Sequence, residues 1–247
     1  MVTPPRWAGF SDRGRVRERN EDRWSADADL GLFIVSDGMG GRPAGEVASE
    51  VVVAALPTLV AHHFGAEPDL AAPDAPQRLR TVLTELSTEL REGSQDTPRL
   101  AGMGATAVVA LVSHTTALIA HVGDSRAYLL RGRSLHRLTQ DHSLAQALID
   151  AGAITDQQAA GHPARGQLTR HMGMVGEVSP DACRVDLQSD DQLLLCSDGL
   201  TSMLDDVGIQ AILNRSPDPQ HACRALTQAA NDAGGTDNIT VLVIASA

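Results

Sequence analysis

The sequence of 247 residues contains no lysine, and all 20 of its basic residues are arginine. This absence excludes P-loop nucleotide-binding proteins and protein kinases, because both place a lysine on the phosphates of the nucleotide. It also excludes enzymes that form a Schiff base through lysine. A GxSxG motif does not occur either, which excludes the serine hydrolases that carry their nucleophile on that turn.

Aromatic residues and cysteines are scarce. Aromatic side chains make up 2% of the sequence, so a core must be built from alanine, valine, leucine and isoleucine. The three cysteines, Cys183, Cys196 and Cys223, are widely spaced without a CxxC pair, which indicates a reducing compartment and no zinc ribbon. The residues six positions after them are serine, serine and alanine, so the arginine of a cysteine-dependent phosphatase is missing.

Apolar runs are short, and positive charge is in deficit. No run approaches the ~20 residues of a membrane span, and the N-terminus has no signal-peptide core. We therefore expect a cytoplasmic protein that does not enter a membrane.

The net charge of −11 argues against nucleic acid as a partner, because phosphate backbones need clustered basic residues. If such a protein handles phosphate, bound divalent cations are the obvious source of positive charge.

The apolar periodicity predicts both helices and strands, with 65–76 as a loop between two helices rather than a domain linker. Helices are predicted over 43–63, 76–91, 143–151, 205–214 and 218–232. Strands are predicted over 31–36, 105–112, 116–122, 126–131, 183–187, 192–197 and 239–245. Because short turns favour antiparallel pairing and long helices must cover sheet faces, the pattern indicates a layered α+β domain.

Four strand-like runs lie next to an aspartate: Asp37, Asp124, Asp198 and Asp237. A single Asp-Gly or Gly-Asp pair is more often an ordinary turn. If the strands are neighbours, however, four carboxylates meet at one sheet edge, and their repulsion must be offset by cations. Carboxylates suit Mg²⁺ or Mn²⁺ better than zinc, which prefers histidine and cysteine. The four together favour a metal site.

A fifth feature is the charged stretch RERNED, residues 17–22. Its acidic pair, Glu21 and Asp22, could hold water on a metal while the Arg17 guanidinium binds a phosphate. A mixed charge run is also typical of a solvated surface. The stretch therefore does not identify a site by itself.

An ordered set of motifs resembles the metal-dependent Ser/Thr phosphatases of type 2C, in their bacterial single-domain form. The motifs are RERNED (17–22), DGMGGRPAGE (37–46), GATAVV (104–109), VGDSRAYLL (122–130), LTQDHS (138–143), LLLCSDGL (193–200) and GGTDNITVLV (234–243). The resemblance implies one domain over 1–247, a four-layer α/β/β/α sandwich of two antiparallel sheets, and a dimetal site at one edge. It also implies a flap segment over 143–182, with His142 and His162 as structural residues at its base.

The resemblance further implies a role for each site residue. The catalytic set is Arg17, Asp37, Asp198 and Asp237, with Asp37 bridging two Mn²⁺ or Mg²⁺ ions and Arg17 binding the substrate phosphate. The Gly38 carbonyl contacts one ion, and Asp124 shares a weaker third ion with Asp198. Glu21 and Asp22 orient metal-bound waters, and Asn238 orients its neighbours by hydrogen bonds.

The chain departs from the eukaryotic branch at Met39, where those relatives carry a histidine thought to protonate the leaving group; we expect a metal-bound water instead. The expected substrates are phosphorylated proteins, including a Ser/Thr kinase or its substrates, and the expected state is a monomer. Two alternatives are another dimetal phosphoesterase, such as a phosphodiesterase, and a catalytically weak member that serves as a regulatory binding module. The second is disfavoured because every metal position is intact.

Overall fold

The computed structural model describes residues 5–39, 44–65, 68–95, 100, 102–113, 115–159 and 161–246. Within these residues the strands form two antiparallel sheets. Sheet I has the strand order β1-β11-β10-β7-β8. Its strands are β1 (Arg6–Asp12), β7 (Arg126–Arg131), β8 (Ser134–Arg137), β10 (Gln192–Cys196) and β11 (Ile239–Ala245).

Sheet II has the order β2-β3-β5-β6-β9, with the short β4 paired to β3. Its strands are β2 (Asp22–Asp27), β3 (Leu32–Met39), β4 (Gly104–Ala105), β5 (Ala107–Ser113), β6 (Thr116–Val122) and β9 (Asp181–Asp186). The register of β2 against β3 places Asp22 opposite Asp37. Sheet II therefore brings the charged stretch 17–22 next to the first of the four predicted aspartates.

Helices cover the outer face of each sheet. The helices are α1 (Ala44–Phe64), α2 (Ala75–Gln95), α3 (Leu144–Asp150), α4 (Asp156–Ala159), α5 (Asp198–Thr201), α6 (Asp206–Arg215) and α7 (Pro219–Asp232). Helices α1 and α2 pack on sheet II, whereas α6 and α7 pack on sheet I. The predicted α/β/β/α sandwich is confirmed.

Three apolar layers hold the four structural layers together. In β3 the side chains of Leu32 and Ile34 pack under α1 and α2, whereas Phe33 and Val35 pack against sheet I. Successive side chains of a strand point to opposite faces, so a strand buried on both faces reads as a continuous apolar run. A third cluster lies between sheet I and α5 to α7.

Helix α1 is long and apolar enough to cross a membrane by length and composition alone, with a mean hydropathy of 1.5. The apolar residues of α1 do not form one continuous run in the sequence, because Glu46, Glu50 and Pro57 interrupt them. The residues at four-residue spacing, Ala48, Val52, Leu56 and Val60, are all buried in the layer above sheet II. A buried stripe of this kind is typical of a helix that packs on a sheet.

Some elements differ from the sequence prediction. The strands β1, β2 and β8 and the short helices α4 and α5 are not predicted, so the charged stretch 17–22 lies between two strands instead of before the first. Strand β3 runs on to Met39, which places Asp37 inside it. The predicted start of α1 at residue 43 lies outside the described residues.

Candidate metal centre

An open cavity of about 450 Å³ lies where the ends of the two sheets meet. All of the predicted site residues except Asp22 line it: Arg17, Glu21, Asp37, Gly38, Asp124, Asp198, Asp237 and Asn238. Asp37 lies in β3 of sheet II, and Asp124 lies in the turn between β6 of sheet II and β7 of sheet I. Asp198 follows β10 and Asp237 precedes β11, both in sheet I. The four strands are therefore not neighbours in one sheet, and the carboxylates converge from both layers.

Asp37 is held by its main chain. Its N–H donates to Thr106 Oγ1 at 2.9 Å, and its carbonyl oxygen accepts from the Thr106 N–H at 2.8 Å. The neighbouring Ser36 hydroxyl donates to the Thr106 carbonyl at 2.7 Å, and Thr106 Oγ1 lies 2.7 Å from Ser125 Oγ. These bonds fix the backbone of Asp37, so its carboxylate is presented to the cavity in a defined position.

Asp198 begins helix α5, directly after β10. The next residue must be glycine, because a Cβ at Gly199 would lie 1.9 Å from the carbonyl oxygen of Asn238. This close approach brings the Asp198 turn against the turn that carries Asp237. Asp237 in turn accepts from Arg17 Nη2 at 2.6 Å and from the Asn238 N–H at 2.8 Å.

The carboxylates repel one another unless cations offset their charge. Burial, followed by the charges of Asp22, Asp198, Asp124 and Asp237, raises the pKa of Asp37 well above its usual value. Burial, followed by the charge of Asp198, does the same to the pKa of Asp124. The pKa of Asp198 is also raised, first by burial and then by Asp237. Such a cluster is stable in its ionised form only when positive charge is supplied.

The donor set fits a hard divalent cation. All of the candidate ligand atoms are oxygens: the carboxylates of Asp37, Asp124, Asp198 and Asp237 and the Gly38 carbonyl. Among the described residues, the Oδ1 atom of Asp198 is buried without a hydrogen-bond partner, as expected of an atom that ligates a metal. Oxygen donors without sulfur or imidazole favour Mg²⁺ or Mn²⁺ over zinc.

Arg17 supplies the cationic side of the cavity. Its side chain is about half exposed, and its hydrogen bond to Asp237, followed by nearby carboxylate charges, raises the pKa of the guanidinium. A planar guanidinium that is fixed by one carboxylate can still donate to a phosphate oxygen through its other N–H groups. The position of Arg17 agrees with the predicted contact to a substrate phosphate.

Glu21 and Asp22 take different places. Glu21 lines the cavity, whereas Asp22 is 2% exposed and lies behind it. Asp22 Oδ2 accepts a hydrogen bond from the Ser197 hydroxyl at 2.7 Å, and Oδ1 is buried without a partner among the described residues. Burial raises the pKa of Asp22 to about 7. Asp22 therefore contacts Ser197 and does not lie at the surface of the cavity.

Asn238 ties two segments of the site together. Its Oδ1 accepts from the Glu21 N–H at 2.8 Å, and its Nδ2 donates to the carbonyls of Arg13 at 2.9 Å and Arg19 at 2.7 Å. One side chain thus joins the loop before β2 to the turn that carries Asp237. These contacts agree with the orienting role predicted for Asn238.

Several cavity residues are missed by sequence reasoning. Thr106 lines the cavity and fixes Asp37, and Gly166 and Leu168 of the flap segment also line it. Met39 lies on the cavity wall and carries no ionisable group. Thr106 lies inside the quoted motif GATAVV, where a threonine between alanines in an apolar strand is a signal that could have identified it.

A second group of metal-ligand types lies outside the cavity, at the base of the flap segment: His121, His142 and Asp181. His142 Nδ1 accepts from the Gly123 N–H at 3.2 Å, and its Nε2 lies 3.1 Å from Asp181 Oδ2. Arg170 Nη1 is 3.1 Å from the same Nε2 and 3.4 Å from Asp181 Oδ1. Because a guanidinium already lies beside these atoms, the group is better explained as structural than as a metal site, in agreement with the prediction for His142.

Comparison with known proteins agrees with this geometry. A family model described as Protein phosphatase 2C matches residues 13–233. The serine/threonine phosphatase stp of Listeria monocytogenes is 38% identical over 237 residues, which cover 95% of this chain and 93% of that protein.

Two solved structures are similar over the whole domain. Serine/threonine phosphatase Stp1 from Staphylococcus aureus gives a TM-score of 0.90 at 35% identity, covering 100% of this chain and 97% of that one. The catalytic domain of serine/threonine protein phosphatase PstP in complex with two manganese ions gives 0.83 at 34% identity, covering 98% of this chain and 97% of that one. The chain belongs to the protein phosphatase 2C family.

Proposed function

We propose that the protein is a metal-dependent phosphatase that hydrolyses phosphoserine and phosphothreonine in proteins. The observation that carries the proposal is the convergence of buried carboxylates from both sheets on one cavity with Arg17 at its edge. Two divalent cations, when bound, polarise the phosphoryl group and lower the pKa of the attacking water. The structure of a relative with two manganese ions supports this metal content.

The protein's own residues hold and orient the reacting groups. Asp37, Asp198, Asp237 and the Gly38 carbonyl would hold the pair of divalent cations, which would supply the positive charge that the site needs. Asp124 lies near Asp198, which supports a weaker third site shared by these two. Glu21 and Asn238 line the same cavity and form part of its wall.

Arg17 is the proposed phosphate ligand. Phosphoryl transfer passes through a loose transition state in which charge is spread over the phosphoryl oxygens, so a fixed guanidinium stabilises it electrostatically. Met39 cannot donate a proton to the leaving serine or threonine oxygen. Because the cavity is open, we assign that proton to water.

We also propose the substrates, the metal and the cellular location of the enzyme. The substrates are phosphorylated proteins, including a Ser/Thr kinase or the proteins that it phosphorylates. Mg²⁺ can replace Mn²⁺, because both take oxygen ligands. We further propose a cytoplasmic monomer of one domain, with 143–182 as a flap beside the site, and with neither nucleic acid nor membrane as a partner.

The test is phosphate release from a phosphothreonine peptide at millimolar Mn²⁺ or Mg²⁺, with and without EDTA. We expect EDTA to abolish turnover, and Asp37→Asn and Asp198→Asn to lower it by at least about 100-fold, because each removes charge that holds the metals. Asp232→Asn is the matched control, because Asp232 is exposed on α7. No turnover in the parent protein would support a binding module instead, and faster hydrolysis of a phosphodiester would support another dimetal phosphoesterase.

A further inference from the structure

Positive charge is concentrated at the mouth of the cavity. The stretch RGRVRER, residues 13–19, carries four arginines at alternating positions in a chain whose net charge is −11. We call residues 13–19 the arginine loop. All four side chains are exposed, and Arg17 and Arg19 line the cavity itself. Only one of the four, Arg17, is needed for the proposed chemistry.

The backbone of the arginine loop is fixed to the metal-binding turn. Gly14 has φ +80°, and a Cβ there would lie 2.1 Å from the Asp237 carbonyl oxygen. The Arg15 N–H donates to the Gly235 carbonyl at 2.7 Å, and Asn238 Nδ2 holds the carbonyls of Arg13 and Arg19. The arginine side chains therefore project from a backbone whose position relative to the site is set.

Arg17 is held by Asp237, whereas the side chains of Arg13 and Arg19 are only loosely engaged. Arg19 Nη1 is 3.9 Å from Glu46 Oε2, whereas Arg23 makes the closer contact with Glu46, at 2.8 Å to Oε1. Arg13 Nη1 lies 3.4 Å from the Glu18 carbonyl. Exposed contacts of this kind contribute little to stability. The presence of these arginines is therefore better explained by contact with a ligand at the cavity than by stabilisation of the fold.

We propose that the arginine loop selects substrates that carry a further anionic group, a carboxylate or a second phosphate, close in sequence to the phosphate that is hydrolysed. The inference rests on the proposed function and names its substrate class. Guanidinium groups bind carboxylate and phosphate oxygens with paired hydrogen bonds. Because two residues span at most about 7 Å, Arg15 and Arg19 lie within that distance of Arg17 along the backbone. The second anion therefore lies within a few residues of the first.

The overall acidity of the chain does not oppose this selection. At physiological ionic strength charges separated by more than about 8 Å are largely screened, so the arginines dominate over the distant carboxylates. The acidic groups close by are Glu18 within the loop, Glu21 and Glu46 beside it, and the aspartates of the candidate metal centre. Glu46 is shared with Arg23, and divalent cations, when bound, would offset the charge of the aspartates. The exposed guanidinium groups of Arg13, Arg15 and Arg19 can then bind an anion.

The experiment compares kcat/KM for phosphothreonine peptides of equal length whose flanking residues are alanine, aspartate, arginine or a non-hydrolysable phosphonate analogue of phosphoserine. We expect the anionic peptides to be hydrolysed about tenfold better than the alanine peptide, with the advantage falling as NaCl is added. The aspartate and phosphonate arms show which anion is preferred. The triple variant Arg13→Gln, Arg15→Gln, Arg19→Gln should bring the ratio of anionic to alanine peptide close to one.

Arg133→Gln is the matched control, because Arg133 is exposed in the turn between β7 and β8. Turnover of p-nitrophenyl phosphate, which has no flanking residues, should be the same in all of these proteins. Equal rates for all peptides, a preference for the arginine peptide, or an unchanged ratio in the triple variant would overturn the inference while p-nitrophenyl phosphate is still hydrolysed. Failure of the parent protein on every substrate would overturn the proposed function and the inference together.

Discussion

At the scale of single residues, the two Ser-Asp-Gly segments, 36–38 and 197–199, each place a buried serine before an aspartate that lines the cavity. Ser36 and Ser197 are both fully buried. Ser36 donates to the Thr106 carbonyl, and Ser197 donates to Asp22. In each segment the serine binds the strand end to a neighbouring segment while the following aspartate lines the cavity. The repeated motif thus pairs a buried serine anchor with an aspartate that reaches the cavity.

The variant Ser197→Ala tests this anchoring role. It removes the donor to Asp22 Oδ2 and so the 2.7 Å hydrogen bond of a buried carboxyl group whose Oδ1 has no hydrogen-bond partner among the described residues. We expect the free energy of unfolding to fall by about 1–3 kcal/mol at pH 8, where Asp22 is ionised. Urea denaturation measures the loss. Ser189→Ala, at an exposed position, should stay within about 0.5 kcal/mol of the parent, and an equal loss in both variants would contradict the assignment.

Which site residues can be predicted from sequence depends on their chemistry. The four aspartates are recognisable because each adjoins an apolar run. Ser125 is not, because an uncharged hydroxyl group in a turn gives no comparable signal, and Thr106 is marked only by its place between two alanines. Glu21 and Asp22 cannot be separated by sequence alone, although adjacent residues at the start of a strand point to opposite sides, which places one at the cavity and the other behind it.

At the scale of elements, strands buried on both faces are predicted, whereas the edge strands β1, β2 and β8 are missed. β3, β10 and β11 read as continuous apolar runs because both faces are covered. β1 and β2 are edge strands with mostly half-buried or exposed residues, so their runs are broken by polar side chains. The sequence also gives no information on which sheet a strand joins, and for this reason the meeting of carboxylates from two sheets was not foreseen.

The flap segment is tied to the site at one buried histidine. His142 bonds Gly123, next to Asp124, on one side and Asp181, at the start of β9, on the other, and its carbonyl accepts from the Thr169 N–H at 2.8 Å. The ring also stacks on His121 at 4.5 Å. A charge on this ring would be buried beside His121 and Arg170, so the neutral form is favoured.

The pH dependence of stability should reveal this histidine. Burial, followed by the charge of His121, lowers the pKa of His142 from 6.5 to about 4. Between these values the unfolded chain binds the proton and the folded chain does not, so stability is lost as the pH falls from 6.5 towards 4. The 2.5-unit difference corresponds to about 3 kcal/mol. We expect His142→Gln to flatten urea-derived stability over this range, whereas the exposed control His136→Gln keeps the slope; identical slopes would contradict the prediction.

At the scale of the whole molecule, the candidate metal centre lies between two layers that each have their own core. Asp37 belongs to the sheet whose outer face packs on α1 and α2, whereas Asp198 follows β10 and Asp237 precedes β11 in the sheet packed on α5 to α7. Cations held by these residues, as proposed, would link the sheets at their open ends. Because the unfolded chain has no such site, metal binding must add to the stability of the entire fold.

The variant Asp37→Asn should therefore be more stable than the parent protein in EDTA and less stable than the parent protein when Mn²⁺ is bound. In EDTA, burial and the neighbouring carboxylates raise the pKa of Asp37, so the stability of the parent falls as the pH rises above 3.8, and asparagine avoids this loss. With Mn²⁺ at about 100 times its dissociation constant, the parent gains about 2.7 kcal/mol, or roughly 5–10 °C in Tm, and the variant gains little. Thermal melting of both proteins and of the control Asp232→Asn measures the reversal. A variant that is less stable than the parent in EDTA, or that gains as much from Mn²⁺, would show that Asp37 does not bridge the two sheets through a metal.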